Sequence, residues 1–219
     1  MLRRTCDYVF RPTVFFREQL SCAPDWWAAA AAPILCSCLI GISATVLGQR
    51  ARPAQIELLR YLDVPMEMLP PALLMTIGMM LGYPAWFGMA LLAMLSMNVL
   101  YKDAAPPARL AELTGICFLT QIPFCLLMIA VALDYRPAPF LPPSASSRAA
   151  ALAAFVDGQL ASTALSGARM LSHVSALWLA SQLTMALAVA GELSPRAAVV
   201  SALFLASLFV GTQFLPDLL

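Results

Sequence analysis

Charge is scarce in this sequence. Asp, Glu, Lys and Arg make up only 11% of its 219 residues, against roughly 25% in ordinary soluble domains. Histidine occurs once, at His173. The shortage excludes a broad charged surface, and a net charge of +1 leaves no global field to draw nucleic acid. A cleavable signal peptide is missing too. The first 25 residues mix four arginines with three acids and contain no compact apolar stretch ahead of a small-residue cleavage site. Metal and redox spacings are also wanting. Cys6, Cys22, Cys36, Cys38, Cys117 and Cys125 form no zinc or redox pattern, and one histidine completes none. No phosphate-binding loop or dinucleotide fingerprint is present. We expect neither a cofactor nor a metal, and no enzyme activity.

What is abundant is apolar: 61% of the residues are hydrophobic. The few charges divide the chain into uncharged runs at 26–49, 68–101, 113–133, 170–191 and 197–215. Crossing a hydrocarbon layer of roughly 30 Å takes about 20 helical residues. Four of the runs fit one crossing each. The run 68–101 would reach roughly 51 Å as a single helix, too long for one upright span and too short for two. Gly82-Tyr83-Pro84 interrupts it, and proline removes a backbone donor. We read 68–81 as a tilted or interfacial approach and 85–101 as the crossing part of a helix kinked near 82–84. The resulting expectation is an all-α, polytopic transmembrane bundle with five spans over 26–215; a helix–turn–helix pair within 68–101 would make six.

Residues 1–25 form the segment ahead of the first run. Started at Pro12, a favoured first helical position, a helix puts Phe15, Phe16, Gln19 and Leu20 on one arc. Thr13, Arg17, Glu18 and Ser21 fall on the other, with Val14 the exception. This amphipathic pattern suits the bilayer interface, with Arg11 and Arg17 near lipid phosphate and Trp26 and Trp27 at headgroup depth. Arg3, Arg4, Arg11 and Arg17 place the N-terminal side in the cytoplasm by the positive-inside tendency. Farther along, QIELLRYLDV within 48–67 could form a short surface helix. Residues 135–169 read as a linker followed by a surface helix: 135–147 is rich in proline and serine, and 148–169 is alanine-rich. Ser194 can cap, and Pro195 can open, the last helix.

Three stretches in order are similar to the Yip family, the Ypt/Rab-interacting-protein-like integral membrane proteins, and to its short bacterial members. RPTVFFREQ at 11–19 resembles that family's entry helix. YKDAAPPARLAELTGICFLTQIPFCLLMIAVAL at 101–133 resembles a charged connector feeding a span with Gly115, Phe118 and a mid-span Pro123. HVSALWLASQLTMALAVAGELSPRAAVVSALFL at 173–205 resembles the penultimate span, its turn and the last span. The resemblance implies a five-span membrane fold and an accessory or membrane-organising role, in a bacterial inner membrane. The Asp-Leu-Tyr-Gly-Pro element is absent, so Rab binding is not implied. The expected partners are the lipid bilayer and another membrane protein or a second copy of the chain, with no nucleic acid.

Inside the runs the polar residues are uncharged: Ser43, Thr45, Thr76, Asn98, Thr120, Gln121, Gln182, Thr184 and Gln213. Such side chains commonly join helices to one another. Gln121, Gln182 and His173 are the candidates for a polar site, and a small transporter or permease subunit is the rival function. Eight methionines crowd 66–97, where packing outweighs a partner-binding groove or a copper site at Met75 and Met79. Cys6 and Cys22 lie near the interface, where acylation is an option without a motif to support it.

Overall fold

The computed structural model describes residues 11–23, 26–63, 71–100, 106–139, 147–191 and 193–218. Among them there is helix and no strand. The helices are α1 (Pro12–Ser21), α2 (Trp26–Tyr61), α3 (Pro71–Leu100), α4 (Pro107–Cys117), α5 (Gln121–Asp134), α6 (Arg148–Leu160), α7 (Thr163–Ala190) and α8 (Pro195–Leu218). A 3₁₀ turn, Phe118–Thr120, joins α4 to α5. Four stretches are long and apolar enough to cross a membrane: Ala30–Tyr61, Met79–Leu100, Pro107–Asp134 and Thr163–Ala190. In α8 the apolar stretch recognised among the described residues is the shorter Arg196–Leu208. This is a helical membrane protein, with four such helices among the described residues.

Several helices outrun the uncharged runs that announce them. Helix α2 does not stop where charge begins at Arg50; it continues through Arg52 and Pro53 to Tyr61, 36 residues in all. QIELLRYLDV is therefore not a separate surface helix. At about 1.5 Å per residue α2 is roughly 54 Å long, well beyond a hydrocarbon layer. Its charged last turns need not be immersed. Two residues past its end stands Asp63, whose φ of 53° is a left-handed conformation that Asp tolerates better than most residues. Helix α3 is one unbroken helix of 30 residues with Pro84 in its interior, not a helix–turn–helix pair. The alanine-rich stretch 148–169 is not one surface helix either. It breaks at Ala161-Ser162, and Ser162 accepts the Leu165 N–H at 3.3 Å to start α7. Ser147 caps α6 through Ala150 at 3.1 Å, and Ser194 caps α8 through Ala197 at 3.4 Å behind Pro195.

The chain divides into two compact units. Unit 1 comprises Met1–Cys36, Tyr83–Ile122 and His173–Leu219; unit 2 comprises Ser37–Gly82 and Pro123–Ser172. The core of unit 1 is built from Phe16, Met94, Leu110, Leu113, Phe118, Leu179, Leu183, Leu187 and Leu205, all fully buried. Tyr83 and Phe87 of α3 meet the Phe118 ring edge-on at 6.3 and 5.8 Å. Such pairs add stabilisation beyond area alone.

Among the described residues of unit 2 there are two smaller clusters. Leu58 and Leu62 of α2 pack with Ala151 and Phe155 of α6, and Leu47 packs with Ala132 and Tyr135. At Gly41 a Cβ would lie 2.6 Å from Met80 Cγ, so the missing side chain is what lets α2 and α3 approach there. Thr45 Oγ1 donates to the Gly41 carbonyl at 2.8 Å and lies 3.3 Å from the Thr76 hydroxyl. Ser43 Oγ donates to the Met128 carbonyl at 3.0 Å, tying α2 to α5. Beyond the end of α5, Tyr135 donates to Gln159 Oε1 while Gln159 Nε2 donates to the Ala138 carbonyl at 2.9 Å. This pair pins the start of the proline-rich linker to α6. Burial pushes the Tyr135 phenol above its ordinary pKa.

Candidate polar site in unit 1

Two polar arrangements stand out in unit 1, one at the middle of the α4–α5 stretch and one at its N-terminal end. The middle is set by Pro123. Proline has no N–H to give the carbonyl four residues earlier, at Leu119, and its ring crowds that carbonyl. The helix tightens into the 3₁₀ turn Phe118–Thr120 just ahead of it. Gln121 opens α5 immediately after the turn and is fully buried. Its Nε2 donates to the Ser175 carbonyl of α7 at 3.0 Å and lies 3.4 Å from Thr120 Oγ1. Its Oε1 has no donor. The thiol of Cys36 donates weakly to the Phe118 carbonyl at 3.6 Å, so a backbone group loosened by the turn is not left bare.

Gln182, two turns beyond Ser175 on α7, is 3% exposed, and its Oε1 also lacks a donor. His173 lies half-buried two residues before Ser175. The sequence candidates thus fall on two adjoining elements: Gln121 touches α7 beside His173, and Gln182 sits farther along the same helix. No contact links the two glutamines directly.

The second arrangement was not legible as a site. Glu112 is 1% exposed, although it lies next to a charged connector in the sequence. Its Oε2 receives Arg109 Nη1 at 2.8 Å, and its Oε1 receives Gln19 Nε2 of α1 at 2.9 Å. Arg109 Nη2 donates to the Leu20 carbonyl at 3.4 Å and to the Cys22 carbonyl. A guanidinium thus sits where the last carbonyls of α1 point, the favourable end of a helix for a cation. A buried carboxylate is tolerable only when paired and hydrogen-bonded. Here an arginine and an amide meet that need. The clue available in the sequence was the i, i+3 spacing of Arg109 and Glu112.

The interface candidates divide. Helix α1 begins at Pro12 as the sequence implies. Its apolar arc, however, faces protein: Phe16 is fully buried, and Phe15 and Leu20 pack on the unit 1 core. Phe15 and Phe16 stand edge-to-face at 5.7 Å. Arg11, Arg17 and Val14 face outward, and Trp27 is 86% exposed. The side chain of Trp26 and all of Cys6 lie outside the described residues, as do the side chains of Met75 and Gln213.

Cys36, Cys117 and Cys125, which are in no disulfide, are buried, while Cys22 and Cys38 are exposed. No group of three or more His, Cys, Asp or Glu among the described residues could hold a metal ion. Met94 and Met97 are core residues. A groove of about 540 Å³ runs along α3 between Ala85, Gly88, Leu92 and Ser96 on one side and Phe204 and Leu208 of α8 on the other.

No family model, curated protein or solved structure matches this chain.

Proposed function

We propose that this chain is a non-enzymatic, Yip-like accessory protein of a bacterial inner membrane, which binds a partner membrane protein or orders the lipid around itself. It would cross the bilayer five times from a cytoplasmic N-terminal side. The fifth crossing is α8: its 24 residues extend roughly 36 Å, enough for a hydrocarbon layer.

The observation that carries the reading is the state of the second crossing. Only 17% of the most apolar window of Met79–Leu100 is buried in the protein, against 50% for Ala30–Tyr61 and for Thr163–Ala190. The groove on this helix is lined in part by Gly88, where a Cβ would meet nothing within 4 Å. Transmembrane helices associate by close packing over small residues, since lipid tails remove any hydrophobic drive between helices. Purification in mild detergent should recover a stoichiometric partner, and a bulky Gly88→Leu variant should lose it. Recovery of the chain alone, together with no lipid phenotype on deletion, would count against the proposal.

A second reading has its own observation. Gln121 and Gln182 carry buried amide oxygens without donors inside crossing helices. A polar path through a small transporter or permease subunit would put such groups to use.

A further inference from the structure

We infer that the interface of α4–α5 with α7 forms an acceptor-lined seam that takes up water-sized, neutral hydrogen-bond donors, and that α1 closes its end at Glu112. The inference deepens the second reading and rests on it.

Register supplies the first argument. The two stretches are consecutive crossings and run antiparallel, and Gln121 meets Ser175. Stepping seven residues in opposite directions puts Thr114 at the level of Gln182, and stepping nine puts Glu112 at the level of Thr184. Seven residues is nearly two full helical turns, so Thr114 and Gln121 share a side of their stretch, as do Ser175 and Gln182 of α7. Cys117 lies on the same side between Thr114 and Gln121. Every one of these residues is buried. Polar groups therefore recur along one interface, from the Glu112 end to the 3₁₀ turn.

The second argument concerns what these groups can offer. The Thr114 hydroxyl gives its hydrogen to the Leu110 carbonyl at 2.6 Å, Thr120 to Cys117 at 2.7 Å, and Thr184 to Ala180 at 2.8 Å. Thr114 and Thr184 are left presenting lone pairs, while Thr120 Oγ1 also lies 3.4 Å from Gln121 Nε2. Gln121 and Gln182 add two unpartnered amide oxygens, each more than nine-tenths buried. In hydrocarbon an acceptor without a donor is costly, and no protein donor reaches either amide oxygen. The occupant must donate. A divalent cation calls for carboxylates, and both oxygens of Glu112 are already engaged. An uncompensated monovalent cation is disfavoured so deep in a bilayer. A neutral donor such as water fits.

The third argument is the closure. At the Glu112 level the seam meets α1 through Gln19, while Arg109 grips the two carbonyls at the end of that helix. Loss of one hydrogen bond to a charged group shifts a docked–undocked balance by about tenfold or more.

The test uses the full chain in native membranes, with other cysteines replaced by serine and single cysteines at 182 (Gln182→Cys), 114 (Thr114→Cys) and the native 117. Leu203→Cys, on the exposed side of α8, is the lipid-facing control. A small, neutral thiol reagent, which attacks only a hydrated and ionised thiol, should modify 182, 114 and 117 but not 203, and Gln19→Ala should raise the seam rates about tenfold. Cys117 needs no substitution at its own position, so it reports even if Gln182→Cys fails to accumulate. Seam cysteines no more reactive than 203, with and without Gln19→Ala, would overturn the seam. Reactivity unchanged by Gln19→Ala would overturn the closing role of α1. Neither result bears on whether a partner copurifies, so the accessory reading stands or falls separately.

Discussion

The side-chain amide of Gln121 reaches the backbone carbonyl of Ser175 at 3.0 Å, joining the broken middle of α4–α5 to α7. One half of that amide is satisfied and the other is not. Residues retained for stability rarely look like this, because leucine of nearly the same size would pack without an orphan oxygen.

Gln121→Leu should therefore be close to neutral. It removes an interhelical bond of about 0.6 kcal/mol, and with it a buried acceptor whose isolation costs about 1–3 kcal/mol. Thermal unfolding in detergent should show a change within about 1 kcal/mol of the parent. A loss of about 3 kcal/mol or more would mean that the amide is held by fixed partners of the folded chain and does not face exchangeable water.

The α1 clamp should behave in the opposite way. Arg109→Ala leaves the Glu112 carboxylate buried without its cation, a change that costs about 3–5 kcal/mol in comparable pairs. Phe16→Ala removes a fully buried ring and should cost about 3–5 kcal/mol, whereas Val14→Ala on the outer side should stay within about 0.5 kcal/mol. Limited proteolysis at residues 11–23 reads both. Equal resistance in Phe16→Ala and the parent would show that the ring faces lipid.

At Gly41 the outcome depends on Met80. Gly41→Leu forces the Met80 side chain aside and should destabilise by about 1–3 kcal/mol. Met80→Ala in the same chain should recover much of the loss, since the three atoms nearest a Cβ at this position all belong to that side chain. A double mutant no better than Gly41→Leu would contradict the contact. A double-mutant cycle measured by thermal unfolding isolates it.

Tyr135→Phe deletes the donor to Gln159 Oε1 and should cost about 1–3 kcal/mol. The phenol's raised pKa sets a pH dependence. Its contribution is complete below its ordinary pKa of 10.0 and is lost as pH rises from there through the higher native value, because only the unfolded chain ionises readily. The parent should therefore lose stability above pH 10 more steeply than Tyr135→Phe. Parallel curves would refute the burial of this phenol.

Much of the helical layout was legible because charge and proline punctuate the chain. Pro12 and Pro195 open helices where they were expected to, and Ser194 caps the second of them. Helix ends were less legible. Arg50 and Glu112 marked the limits of uncharged runs, yet α2 continues through Arg50 and Arg52, and α4 begins five residues before Glu112. Alanine gave no clue to the break at Ala161-Ser162, since it favours helix throughout.

The apolar arc of α1 was correctly drawn, but periodicity reports which face is apolar and not what covers it. Phe16 went to the protein core. Gln121 and Gln182 were singled out because an amide in a bilayer needs partners. Glu112 passed as a boundary marker because its burial depends on Gln19, 93 residues away.

Topology tests the account most directly. Four crossings would return the chain to the face from which it started, so the five-crossing proposal stands on α8 alone. Reporters fused ahead of residue 11 and behind residue 218, one active only in the cytoplasm and one only outside it, should find the two positions on opposite sides of the membrane. Both positions on one side would contradict the fifth crossing and remove the five-span basis of the Yip-like proposal.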